Sequence, residues 1–412
     1  MMGLQINEER IKKDFAALVA VDSVSFYEGQ MAERMTEALK KLGFSVWEDD
    51  AAEKLCDARG KFEGRSTGPC EAGEDGRETD GLRRESPAGN LYGFLKGTLP
   101  GRPVLFSAHL DTVRPGHGKR AVFQENGRIT SGGDTVLGAD DAAGLAEILE
   151  GIRCVIEAGL PRRDIEILFS VAEEAHCKGS ARFDYSRIRA GEAYVLDLSG
   201  AVGSAAVQAP SIVTFEATVN GKAAHAGFAP EDGVHAIAVM CEAISRIPQG
   251  RSCAGTGEET TLNIGSIRAK GPTNIVPSLC VCSGEIRSCS HERAMEMADF
   301  VRKTFEEAAA RAGASCDVRV TVNLTAYQTP KESPAVRHFQ EACGALSLPG
   351  TLVRTFGGSD NNNFALHDIS GIVLSCGMCD VHSIRESIRV EDLVTGARLV
   401  AELAISMAYN QL

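Results

Sequence analysis

Apolar residues recur at helical spacing over residues 7–20 and 30–42, and Phe44-Ser45-Val46-Trp47 then reads as a strand. Residues 51–86 keep no apolar period of either kind and are dense in Gly, Glu and Arg. They read as a flexible surface insertion. Strand patterns resume at 90–95 and 104–108, a helix is predicted over 139–157, and strands over 164–171 and 193–196. This alternation predicts an α/β sheet with helices on its faces.

Beyond about residue 210 the pattern changes. Segments 212–219, 261–267 and 279–286 alternate like strands with one exposed face, and helices are predicted over 233–247 and 291–312. Helices on an antiparallel sheet make a separate α+β unit. The α/β character returns with helix 333–346, strands 351–354 and 371–375, and helix 390–407. The expected organisation is a first domain of residues 1–208 and 326–412, interrupted by a second over 209–325. The length of 412 residues agrees with two domains, because single cores stop growing near roughly 250–300 residues.

Charge narrows the partners. With 43 Lys+Arg against 56 Asp+Glu, the formal charge of −13 argues against nucleic acid or an anionic membrane. The longest uncharged run, residues 198–215, is broken by Gly, Ser, Gln and Pro and makes a poor membrane span. The first ten residues are charged early and lack the apolar core of a signal peptide. Thirteen cysteines, an odd number, then point to reduced thiols and a cytoplasmic location.

The candidate chemistry sits after the apolar runs. His109-Leu110-Asp111 follows strand 104–108, and a carboxylate two residues from a histidine can orient its ring for metal binding. Gly138-Ala139-Asp140-Asp141 enters a helix, so Asp140 is either an N-cap or a carboxylate bridging two ions. Glu173-Glu174 follows strand 164–171 and Asp197 follows strand 193–196. One acidic strand end is a solvated loop. Several on one sheet edge converge, and clustered carboxylates need cations. His382 supplies a second imidazole after strand 371–375. Cys376 and Cys379 look like half a zinc site without its other half, and buried or loop thiols are the simpler reading. The same holds for Cys280 and Cys282, while His176 and Cys177, beyond Glu174, have no assigned role.

Taken in order, His109-Leu110-Asp111-Thr112-Val113, Gly138-Ala139-Asp140-Asp141, Glu173-Glu174, Asp197 and His382-x-x-x-Glu386 resemble the dinuclear-zinc exopeptidases. These are the relatives of peptidase T, aminoacylase, carboxypeptidase G and succinyl-diaminopimelate desuccinylase. Ala224-His225-Ala226-Gly227 and Gly357-Gly358-Ser359-Asp360 are similar to the peptidase T-like branch. The resemblance spans nearly the whole chain outside residues 51–86.

The resemblance implies a zinc exopeptidase-type α/β sheet sandwiched by helices, with an inserted α+β dimerisation (lid) domain. It implies one zinc on His109, Asp140 and Asp197 and another on Asp140, Glu174 and His382. Cobalt or manganese would suit the same ligands. Asp140 would bridge the ions, with a cis peptide after it, and Asp111 would orient His109. Glu173 would be the general base, and His225 an oxyanion donor acting across a homodimer. Asn274, Arg287 and Gly358 would hold the polar ends of the substrate. The chain departs from peptidase T at Phe356, where an arginine precedes the paired glycines, and at Ala142, where many relatives have lysine. The expected activity is that of a tripeptidase-like aminopeptidase. The alternatives are a dipeptidase, carboxypeptidase or N-acyl amino acid deacylase, and an inactive peptide-binding relative.

Overall fold

The computed structural model describes residues 5–56, 86–252 and 259–405. The chain separates into two units. The first comprises Met1–Val207, Thr329–Arg354 and Ser359–Leu412, and the second Gln208–Gln328 with Thr355–Gly358. Thr355–Gly358 thus belongs with the second unit although it lies 27 residues beyond Gln328 in sequence, outside the 209–325 range expected.

The first unit is built on a mixed sheet. Its strands run in the order Ser45–Glu48, Leu91–Leu95, Ile165–Ser170, Val104–His109, Glu192–Leu198, Ser370–Ser375, Ser204–Ala209. The four central strands, from Ile165–Ser170 to Ser370–Ser375, are mutually parallel. Val104–His109 and Ile165–Ser170 are buried along their whole length. Their side chains alternate between two cores. Val104, Phe106, Ala108, Ile165, Ile167 and Phe169 face one cluster, together with the helices Glu8–Val19, Ala139–Glu157 and Val390–Ile405. Leu105, Leu168, Ala193 and Val195 face the other, with Phe183 and Phe364. A parallel sheet covered on both faces requires this continuous apolar run.

Local signals start the helices. The Asn7 side chain accepts from the backbone N–H of Arg10, and Ser333 from that of Val336 ahead of Pro334. Four strands of this unit, Ser204–Ala209 and the short Ala121–Phe123, Arg128–Ser131 and Ser387–Arg389, were not expected. The first lies inside the uncharged run 198–215, whose Gly and Ser content masks its alternation. Ala51–Leu55 is a helix rather than part of a flexible insertion, because Ala51 and Leu55 are buried in the first core. The rest of the expected insertion, residues 57–85, lies outside the described residues.

The second unit is an antiparallel sheet in the order Gly250–Ser252, Thr260–Arg268, Leu279–Ser288, Ser211–Asn220, Ser315–Leu324. Val213, Phe215, Ala217 and Val219 alternate into a core shared with the helices Ala236–Arg246 and His291–Ala312. Ser290 caps the longer helix, and Gly313 closes it at φ 70°, where a side chain would be strained. Cys280 and Cys282 are both buried in this core. Gly250–Ser252 and Ser315–Leu324 are strands beyond the three expected.

Glycine at two helical positions gives opposite expectations. A Cβ on Gly151, in the helix Ala139–Glu157, would lie 2.6 Å from the Ala397 carbonyl oxygen and 2.9 Å from Val400 Cβ. A Cβ on Gly344, in Pro334–Ala345, meets nothing within 4 Å. Gly344→Ala is expected to stabilise by about 0.5–1 kcal/mol, whereas Gly151→Ala is expected to cost about 1–3 kcal/mol through overpacking. Urea denaturation midpoints check the pair, and a rise for Gly151→Ala would contradict this packing.

Candidate metal centre

The carboxyl ends of four adjacent parallel strands deliver the chemistry. His109 is the last residue of Val104–His109, and Glu173-Glu174 lies just past Ile165–Ser170. Asp197 sits where the ladder slips. Leu374 pairs with Leu196 but Ser375 pairs with Leu198, so Asp197 is an extra, bulged residue. A bulge of this kind re-aims a side chain. His382 lies on the loop after Ser370–Ser375.

These residues converge in the first unit. Asp140 turns one oxygen to each of two histidines: Oδ1 lies 2.9 Å from His109 Nε2, and Oδ2 lies 3.1 Å from His382 Nε2. His382 Nε2 is also 2.9 Å from Glu174 Oε1, and Asp197 Oδ1 is 3.8 Å from His109 Nε2. Donor atoms of His109, Asp140 and Glu174 lie within 4.8 Å of one another, as do those of His109, Glu173 and Asp197. Glu173 therefore stands close enough to the donors to ligate as well as to act as a base. Cys376 and Cys379 join no such group among the described residues.

Asp111 ties the elements together. His109 Nδ1 is 3.0 Å from the Asp111 carbonyl oxygen and 3.3 Å from its carboxylate. That carboxylate accepts the backbone N–H groups of Glu173 and Glu174 at 3.0 and 3.1 Å, and the Ser25 hydroxyl at 2.7 Å.

The helix entrance resolves the two readings of Asp140. Asp140 and Asp141 are both non-helical and are joined by a cis peptide. Asp141 does the capping, with Oδ1 accepting from Gly144 N–H at 3.0 Å and Oδ2 from His109 N–H at 3.1 Å. Asp140 is left free to face the histidines. Glu386 fixes this turn by accepting Gly138 N–H at 2.7 Å and Asp140 N–H at 3.0 Å.

The Glu173-Glu174 loop is held just as closely. Ala172, His176 and Cys177 have φ of 50°, 70° and 53°, the left-handed region that costs a residue with a side chain. Glu28 accepts the N–H of Ala172 at 3.0 Å, and Asn90 accepts that of Val171 at 3.1 Å. Asp360 accepts the hydroxyls of Ser170 and Ser180 on either side of the loop. Glu28 and Asn90 carried no sequence signal. Glu386 and Asp360 stood inside quoted motifs but without a role.

The charges follow from this crowding. Burial pushes Glu173 and Asp197 well above the usual carboxylate range, and neighbouring carboxylates add to it. Glu174 is raised by burial too, although His382 opposes the shift. Burial also works against the charge on Asp140, but its two histidines outweigh it and hold its carboxyl low. His382 is pushed up to about 10 by its bonds to Asp140 and Glu174. His109 is raised despite its burial, by Asp111 and Asp140. Both histidines thus hold a proton more tightly than a free imidazole does, and metal binding would displace such protons.

The remaining predicted residues lie in the second unit. His225 forms a bridge with Ile275, and Ala226 N–H donates to the Asn274 carbonyl at 2.9 Å. The N–H groups of Gly227 and Phe228 both donate to His225 Nδ1 at 3.1 Å. The neutral ring then carries its proton on Nε2. Arg287 donates to the Phe356 carbonyl at 2.8 Å and pairs with Glu285 at 2.6 Å. Gly358 lies against the side-chain ends of Leu324 and Ile212, which a Cβ there would have to displace.

Comparison with known proteins gives the family. Residues 208–313 match the family description "Peptidase dimerisation domain", and residues 90–227 match "Peptidase family M28". The chain is 34% identical to the aminopeptidase PepT of Bacillus cereus, covering 98% of this chain and 99% of that one with a TM-score of 0.82. The chain belongs to the peptidase T-like family of metallopeptidases. A Staphylococcus aureus tripeptidase is 28% identical over 98% of this chain and 99% of its own, with a TM-score of 0.86. The Bacillus subtilis protein YqjE is 33% identical over 398 residues, 97% of this chain and 98% of its own. As a member of this family the chain is a hydrolase of peptide bonds. No helix among the described residues is long and apolar enough to cross a membrane.

Loss of the Glu386 clamp should be felt at the metal. Glu386→Ala frees the backbone on both sides of Ala139, and partners of this kind typically contribute about 10–100-fold in metal affinity. Competition against a chromophoric chelator measures the loss, and wild-type affinity would show that the clamp is dispensable.

Proposed function

We propose that this peptidase is a two-metal aminopeptidase that removes the N-terminal residue of short peptides. The observation that carries the reading is Asp140, with its two oxygens facing different histidines. A carboxylate so placed is shaped to be shared by two ions. The donor set of imidazole nitrogens and carboxylate oxygens fits zinc, and cobalt or manganese equally. His109, Asp140 and Asp197 would hold one ion, and Asp140, Glu174 and His382 the other, following the close approaches among these side chains. The aminopeptidase and tripeptidase relatives support the choice of substrate.

Two bound ions would supply Lewis acidity and a water acidic enough to lose its proton near neutral pH. Glu173 takes that proton and delivers it to the leaving amine. Asp111 keeps His109 oriented while it anchors the acidic pair. Across the homodimer, His225 would present Nε2–H as a donor for the tetrahedral oxyanion. Asn274, Arg287 and Gly358 receive the polar ends of the peptide. The first unit is the catalytic domain, and the second forms a homodimer, in a cytoplasmic enzyme.

Four measurements test this. Chelation should abolish activity, and zinc, cobalt or manganese should restore it with two ions bound per chain. Glu173→Gln should be inactive while keeping both ions, and full turnover by this variant would sink the assignment of the base. His225→Ala should lower kcat by about 100–1000-fold with metal content unchanged. A panel of di- and tripeptides with free, acetylated and amidated ends decides the substrate class, since turnover confined to acylated amino acids would make the protein a deacylase instead.

A further inference from the structure

The loop after Glu174 ends in a thiol aimed back at Glu173. Cys177 is buried, and its Sγ–H donates to Glu173 Oε1 at 3.1 Å. The backbone closes the same ring, with Cys177 N–H donating to the Glu173 carbonyl. This geometry needs the left-handed conformations at His176 and Cys177, with φ of 70° and 53°. Neither residue is a glycine, so the surroundings must impose the turn.

Those surroundings are specific. Asn363, in the short helix Asn361–Ala365, donates to the Cys177 carbonyl at 3.1 Å and to Ser180 Oγ at 2.8 Å. Ser180 in turn donates to Asp360, which also accepts from Ser170 at the near end of the loop. The segment Asp360–Asn363 thus grips the loop before Glu173 and after Cys177. The thiol is presented to the carboxylate from a fixed frame.

We infer that Cys177 is a positioning residue for the general base, its thiol holding Oε1 of Glu173 so that Oε2 is turned to the reacting water. The inference rests on the reading of Glu173 as the base. The choice of donor has a physical logic. An arginine or lysine in this place would stabilise the charged carboxylate strongly and weaken it as a base. A neutral thiol is a weak donor. It fixes the rotamer and leaves the oxygen that accepts the proton unencumbered.

The test compares Cys177→Ala, Cys177→Ser and Glu173→Gln in the metal-loaded enzyme, using the best peptide of the panel. Cys177→Ala is expected to lower kcat about tenfold, the scale of one hydrogen bond to a charged group. KM, the content of two ions and the thermal midpoint should stay at wild-type values. Cys177→Ser, which restores a donor, should recover most of the loss, a pattern that simple cavity formation does not produce. If Cys177→Ala does not fold, Cys177→Gly reads the same loss, because it removes the thiol and suits the left-handed φ of 53°. An unchanged kcat in the alanine variant, with Glu173→Gln inactive, overturns the inference. Activity in Glu173→Gln overturns instead the assignment of the base.

Discussion

Mutual repulsion among Asp140, Glu173, Glu174 and Asp197 is the constraint that the first unit is organised around. Charges that leave water need partners or a cation. Asp140 and Glu174 face the two histidines, while the carboxylates that anchor the cluster, Asp111, Glu386 and Asp360, accept mostly from neutral groups. Backbone N–H groups of Glu173 and Glu174 bond Asp111, those of Gly138 and Asp140 bond Glu386, and hydroxyls of Ser170 and Ser180 bond Asp360. Neutral donors fix the carboxylates in place without cancelling their charge. Lysine or arginine at the same positions would rigidify the cluster equally well and remove its reason to bind a divalent ion.

The fold supplies that geometry through its parallel strands. Side chains at successive positions of Val104–His109 and Ile165–Ser170 enter opposite cores, so the backbone there has no freedom to shift register. Whatever follows the last residue of each strand emerges at a fixed point on one edge. The exception is Asp197, which reaches the site by a local slip of pairing against Ser370–Ser375. The slip gives one side chain a direction that regular pairing would have denied it.

Much of this was legible before any coordinates. Acidic residues and histidines directly after buried apolar runs are uncommon, and His109, Glu173, Asp197 and His382 stood out on that ground. The ambiguity at Asp140 was real. One of the two aspartates caps the helix, and only the turn geometry shows that it is Asp141. Glu28 and Asn90 were illegible because their role is to accept single N–H groups from a loop distant in sequence, for which composition holds no sign. The strand Ser315–Leu324 was a different kind of miss. Cys316, Val318 and Val320 alternate with Asp317, Arg319 and Thr321, but they are only half-buried and their period is faint. Ala51–Leu55 escaped because two buried residues in a five-residue helix are too few to establish a period.

The four residues Thr355–Gly358 bear on how the chain could be divided. Thr355 N–H bonds the Gln208 carbonyl, Phe356 offers its carbonyl to Arg287, and Gly358 lies against Ile212 and Leu324. Genetic excision of residues 208–328 would therefore yield a fragment with an arginine short of its acceptor and an apolar seam laid open. The second unit is continuous in space but not in the gene.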